Sequence, residues 1–86
     1  MAIYRLPHVK QHTGHKSSAS IYGAIREGLF TRPVQIGERA VGWPDYEVSA
    51  IVNARIAGKS KADIAALVDK LHSDRATAGE ATAAGV

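Results

Sequence analysis

The chain contains no cysteine, so neither disulfide staples nor a thiolate metal centre can support it, and a zinc finger is excluded. Aromatic residues are scarce at 6%, with one tryptophan and one phenylalanine. No apolar run approaches the length of about eighteen residues that a membrane-spanning helix needs, and residues 1–5 lack the apolar stretch of a secretory signal. A soluble, cytoplasmic protein without membrane association is expected. What is present is small and rich in alanine. The 86 residues allow one domain and a short tail, and fifteen of the apolar residues, 45% of the chain, are alanine. The core must be thin, so single core substitutions should matter.

Charge is mild in total but uneven. Eleven Lys and Arg against eight Asp and Glu leave +3. Residues 1–43 carry six basic side chains (Arg5, Lys10, Lys16, Arg26, Arg32, Arg39) against Glu27 and Glu38, a balance of +4; residues 44–86 carry five basic and six acidic ones, a balance of −1. A basic half points to a polyanion, most simply nucleic acid.

Pro7 in a first turn and Gly14 at a left-handed end bound a short helix over 6–13. Ser17 or Ser18 can cap a second over 18–27, whose Ile21, Ala24 and Ile25 share one face before Gly28. Two short helices around a tight turn outline a helix-turn-helix. The stretch 32–36 alternates like a half-buried strand, Gly37 to Ala40 reads as a turn, and 41–43 can return as a second strand. Pro44, Asp45 and Glu47 then suit a helix start, with an apolar stripe of Val48, Ile51, Val52 and Ile56 up to Gly58. Ser60 to Asp63 has the spacing of a capping box for a fourth helix carrying Ile64, Leu67, Val68 and Leu71 on one face. The expected organisation is a winged helix-turn-helix over 1–58, an amphipathic helix over 59–73, and a disordered tail over 74–86, where nothing apolar and larger than Ala precedes Val86.

Catalytic and metal chemistry find little support. His8 and His12 are spaced i, i+4 with His15 nearby, yet no carboxylate lies within the segment to complete a metal site. The serines sit where capping explains them, and the glycines never form a phosphate-cradling loop. Neither a catalytic residue nor a cofactor is expected. A binding function remains. A helix of about ten residues fits the major groove, and on the second helix the residues able to reach bases and phosphates are Lys16, Ser17, Ser18, Ser20, Tyr22 and Arg26. Ser17 and Tyr22 are equally well explained as a cap and a packing residue. Arg39, at the hairpin turn, can reach an adjacent groove as a wing does, or pair with Glu38 or Asp45 on the surface. Trp43 belongs to the core, because it ends a strand directly before the helix that must pack beneath it.

The order Ile21-Tyr22, Ile25-Arg26-Glu27-Gly28, Phe30, Pro33-Val34, Ile36-Gly37, Arg39-Ala40-Val41-Gly42-Trp43 and Glu47-Val48, spread over roughly residues 3–57, resembles the AlpA family of prophage-type DNA-binding regulators. The resemblance implies an excisionase-like or MerR-like winged helix with 18–27 as recognition helix and Gly37 to Ala40 as wing. It implies a transcriptional regulator of a prophage or integrated element, nucleoid-associated when bound, with RNA polymerase or a recombinase as protein partner. The alternatives are an excisionase-like recombination directionality factor that bends DNA, and a protein-interaction module with weak or no DNA binding. The third is motivated by Ser18, which stands where Arg is common in the family, by Gly23, which stands where a second basic side chain is common, and by the amphipathic fourth helix; the turn also carries one extra residue relative to the family pattern. The helix over 61–72 can cover the domain's own core or pair two copies into a homodimer.

Overall fold

The computed structural model describes the backbone of residues 2–85 and the side chains of residues 2–76. Helix α1 (Leu6–Thr13) has Pro7 in its first turn, where a missing N–H breaks no intrahelical bond. It ends on Gly14 at φ 79°, whose N–H returns to the Lys10 carbonyl at 2.9 Å. Helix α2 (Ser18–Arg26) is capped by Ser17, whose hydroxyl accepts from the Ser20 N–H at 3.1 Å. The hairpin consists of β2 (Val34–Gln35) and β3 (Val41–Pro44), with Val34 opposite Gly42 and Gln35 opposite Val41. Its turn is held from within. Gln35 Nε2 donates to the Gly37 and Glu38 carbonyls at 3.1 and 3.4 Å, and the Ile36 N–H donates to the Ala40 carbonyl at 2.9 Å. Helix α3 (Asp45–Ile56) follows β3 directly, with Asp45 and Glu47 at its positive end, and α4 (Lys61–Gly85) starts under Ser60, whose hydroxyl accepts from the Asp63 N–H at 3.1 Å.

A short strand at the N-terminus completes the sheet. This is β1 (Ile3–Tyr4), antiparallel to β3, with Ile3 opposite Pro44 and Tyr4 opposite Trp43 and the order β1-β3-β2. Two residues cannot display an alternation, which is why the sequence pattern does not announce them. The strand docks on Gly42. A Cβ there would stand 2.4 Å from Ile3 Cγ2 and 3.1 Å from the Tyr4 carbonyl oxygen, so only glycine lets β1 come this close.

One buried cluster joins all four helices and the sheet: Val9 of α1, Ile21 of α2, Phe30, Trp43 of β3, Val48 and Ile51 of α3, and Ile64, Val68 and Leu71 of α4. The architecture is that of a winged helix-turn-helix, mostly helical, with a small three-stranded antiparallel sheet. Residues 59–73 complete the core of 1–58, and the apolar stripe that a homodimer through 61–72 would use is turned inward, Val68 being 2% exposed.

The tail expected from residue 74 differs from what is found. Asp74 and Arg75 lie within α4, and Arg75 forks onto Glu47, which is fully buried: Nε donates to Oε2 at 2.7 Å and Nη2 to Oε1 at 2.6 Å. Arg75 Nη2 also donates to the Arg32 carbonyl at 2.6 Å. The expectation of disorder rested on missing apolar area, whereas Arg75 is fixed by charge-assisted hydrogen bonds. For residues 77–86 that expectation falls on side chains outside the described residues.

Candidate nucleic-acid interface

Capping and burial orient α2. Ser17 fixes its start and Ile21 is drawn into the core, so Tyr22 and Arg26 are left on the outward side. Lys16 is exposed in the turn before α2, and Arg39 is exposed in the turn of the wing. Among the described residues none of Lys16, Arg26 and Arg39 has a carboxylate within 4.0 Å. The surface pairing considered for Arg39 with Glu38 or Asp45 is not formed, and Asp45 Oδ2 accepts from the Ala2 N–H at 3.0 Å. The uncharged candidates are more engaged. The Ser17 hydroxyl is the α2 cap, Ser18 is half-buried, Ser20 Oγ lies 2.6 Å from His15 Nδ1, and the Tyr22 ring meets Trp43 edge-on at 6.4 Å while staying 39% exposed.

One functional neighbour of α2 comes from far along the chain. Arg55, near the end of α3, brings Nη1 to 3.1 Å from His15 Nε2 and lays its guanidinium 5.9 Å above the Phe30 ring. A guanidinium only donates, so His15 Nε2 is the acceptor and Nδ1 carries the proton that goes to Ser20 Oγ. Burial, and after it the Arg55 charge, lower the His15 pKa; burial also lowers that of Arg55. His15, Ser20 and Gly23 line an open groove of about 350 Å³ together with Arg55 and Lys61. No sequence signal connects Arg55 to this place, because the two partners are 40 positions apart.

The root of the wing is tied to α4. The Arg32 N–H donates to His72 Nε2 at 3.1 Å, and the Arg32 carbonyl receives Arg75. His72 can accept this bond only when Nε2 is unprotonated. Its pKa is lowered by burial first and then by the charges of Arg32 and Arg75, with Glu47 and Asp69 acting in the opposite sense. Both His15 and His72 are thus held neutral in the fold, below the ordinary histidine value of 6.5. The unfolded chain then binds more protons than the folded one wherever the two differ, so stability rises with pH. The contribution is complete above about pH 6.5 and is lost as the pH falls below it. Melting temperatures measured from pH 7.5 down to 5 should fall, and His15→Asn with His72→Asn should flatten that decline; an unaltered profile in the double variant would discard these two histidines as its source.

The other histidine pair has a structural role. His12 stacks on Tyr4 at 4.8 Å with rings 6° apart, and His8 lies tilted against the same ring at 5.6 Å. Among the described residues no group of three or more His, Asp or Glu is arranged to hold a metal ion, and no helix is long and apolar enough to cross a membrane.

A family model described as "Prophage CP4-57 regulatory protein (AlpA)" matches residues 2–56. The uncharacterized protein ORF88 of Enterobacteria phage P4 is 39% identical over 57 residues, which cover 66% of this chain and 64% of that protein. The chain thus spans somewhat less than two thirds of that relative's length. No solved structure matches it.

Proposed function

The chain belongs to the AlpA family of prophage regulatory proteins, and from that premise we propose that it binds duplex DNA sequence-specifically through α2 and the wing to regulate transcription of a prophage or integrated element. The supporting observation is the placement of Lys16, Arg26 and Arg39. All three are exposed on the turn, the helix and the wing, and none has a carboxylate partner among the described residues. Free cations on such a surface displace counterions from DNA and convert that release into affinity. Base contacts then fall to the outward residues of α2, with Tyr22 and Arg26 best placed, while the wing turn carries Arg39 toward a neighbouring groove.

Fluorescence anisotropy with duplex DNA from upstream of the gene and with unrelated duplex, each at low and near-physiological salt, tests this reading. Sequence-preferring binding that weakens with salt is expected. Arg39→Ala should weaken binding to both duplexes and lower the slope of log affinity against log salt by about one; binding identical to wild type would take the wing off the DNA. A folded protein that binds no DNA at low salt would leave the protein-interaction module in its place. Strong bending in circular-permutation mobility shifts would favour a recombination directionality factor over a regulator acting at one operator.

A further inference from the structure

A helix seated in the major groove, about 12 Å wide, has a phosphate backbone on each side. The wing serves one side of α2, where Tyr22 abuts Trp43 of β3. The other side is the open groove. It is lined by Ser20 and Gly23 of α2 and by Glu27 at its C-cap, spaced i, i+3 and i+7, together with Arg55 near the end of α3 and Lys61 at the first residue of α4.

This flank is arranged at the expense of the fold. Arg55 is half-buried without a carboxylate within 4.0 Å, and beyond the bond from Nη1 to His15 its guanidinium donates to no protein acceptor among the described residues. Lys61 stands where the positive end of the helix dipole disfavours a cation. Gly23 weakens α2 although a Cβ there would meet nothing nearer than Arg26 Nη2 at 3.9 Å, so packing does not demand a glycine. Glu27, the carboxylate on this groove, forms no ion pair with either cation among the described residues.

We propose that Arg55 and Lys61 grip backbone phosphates of the DNA on the flank of α2 opposite the wing. His15 holds Nη1, which leaves the Nε and Nη2 edge of Arg55 free to fork onto two phosphate oxygens. Ser20 Oγ accepts from His15 Nδ1 and keeps its own proton for a third. Gly23 leaves the backbone room to approach, and Lys61 adds a second charge without a fixed geometry. This inference rests on the DNA-binding reading.

The test is anisotropy of the full chain with a short labelled duplex of mixed sequence over a range of KCl concentrations, since phosphate contacts are independent of sequence. Lys61→Gln and Arg55→Gln should each lower the salt slope by about one. Lys70→Gln, on a part of α4 where the lysine pairs with Asp74 at 3.3 Å, should leave it unchanged. Lys61→Gln removes an exposed charge that the helix dipole opposes, so it folds and carries the test even if Arg55→Gln, which loses its seat on Phe30, does not. A wild-type protein that binds with strong salt dependence, together with a Lys61→Gln slope equal to it, overturns the phosphate grip and leaves the DNA-binding reading intact. No wild-type binding at low salt overturns both.

Discussion

Arg75→Ala is expected to destabilise the protein by about 3–5 kcal/mol in urea unfolding, although the substitution lies outside the proposed DNA-binding surface. Glu47 is fully buried, and both of its oxygens are met by Arg75 at 2.6 and 2.7 Å. With the guanidinium gone, the carboxylate stays in the interior without a counter-charge, and the Arg32 carbonyl loses a donor as well. For a domain whose whole stability is of order 5–15 kcal/mol, with a thin core that places it low in that range, this is a large share. Removing both charges should hurt less than removing one, because an apolar pair leaves nothing to desolvate. Glu47→Leu combined with Arg75→Met is therefore expected to be more stable than Arg75→Ala. Truncation should act in the same way: a chain ending at Ser73 should lose stability as Arg75→Ala does. An Arg75→Ala midpoint equal to wild type would remove the pair as a support of the fold.

Trp43→Ala should leave little folded protein. The indole is fully buried, lies 6.2 Å from the Phe30 ring and 6.4 Å from that of Tyr22, and donates from Nε1 to the Thr31 carbonyl at 2.8 Å. Emptying such a site costs about 3–5 kcal/mol for the side chain and its cavity, and the orphaned Thr31 carbonyl adds about 1–3 kcal/mol. Thr31 Oγ1 is itself buried with no partner among the described residues, so this corner already holds one unsatisfied polar group before the indole is removed. Trp43→Phe keeps an aromatic ring and isolates the hydrogen-bond loss, which makes it the milder variant. Circular dichroism and the dispersion of proton resonances decide the matter. A folded Trp43→Ala would take the indole out of the core.

The elements that could be read ahead of the structure are those whose signals are local. Gly14 ends α1 and Ser17 starts α2, each through a hydrogen bond spanning four residues or fewer, and Ser60 opens α4 in the same way. The hairpin and the stripe of α4 are legible from alternation and helical spacing, as is that of α3 through Val48, Ile51 and Val52, whereas Ile56 at the end of α3 is 79% exposed and lies off the core. What escaped has no local signature: β1 is two residues long, Glu47 meets Arg75 across 28 positions, and His72 meets Arg32 across 40. Among the candidate contact residues, the exposure of Lys16, Arg26 and Arg39 followed from where the caps and turns put them. Arg55 did not, because on its own helix it is only another basic residue near a C-terminus, and its meaning comes from the ring of Phe30 and the imidazole of His15.

The two ends of the described chain close on and around the small hairpin, β1 onto Gly42 within it, and Arg75 onto Arg32 just before it and Glu47 just after it. During synthesis Glu47 therefore lacks its counter-ion, and the Arg32 carbonyl its donor, until residue 75 has left the ribosome, even though the helix-turn-helix emerges long before. Chains that stop short of residue 75 hold a buried carboxylate without its partner, and they are expected to be cut by proteases more readily than chains that carry it.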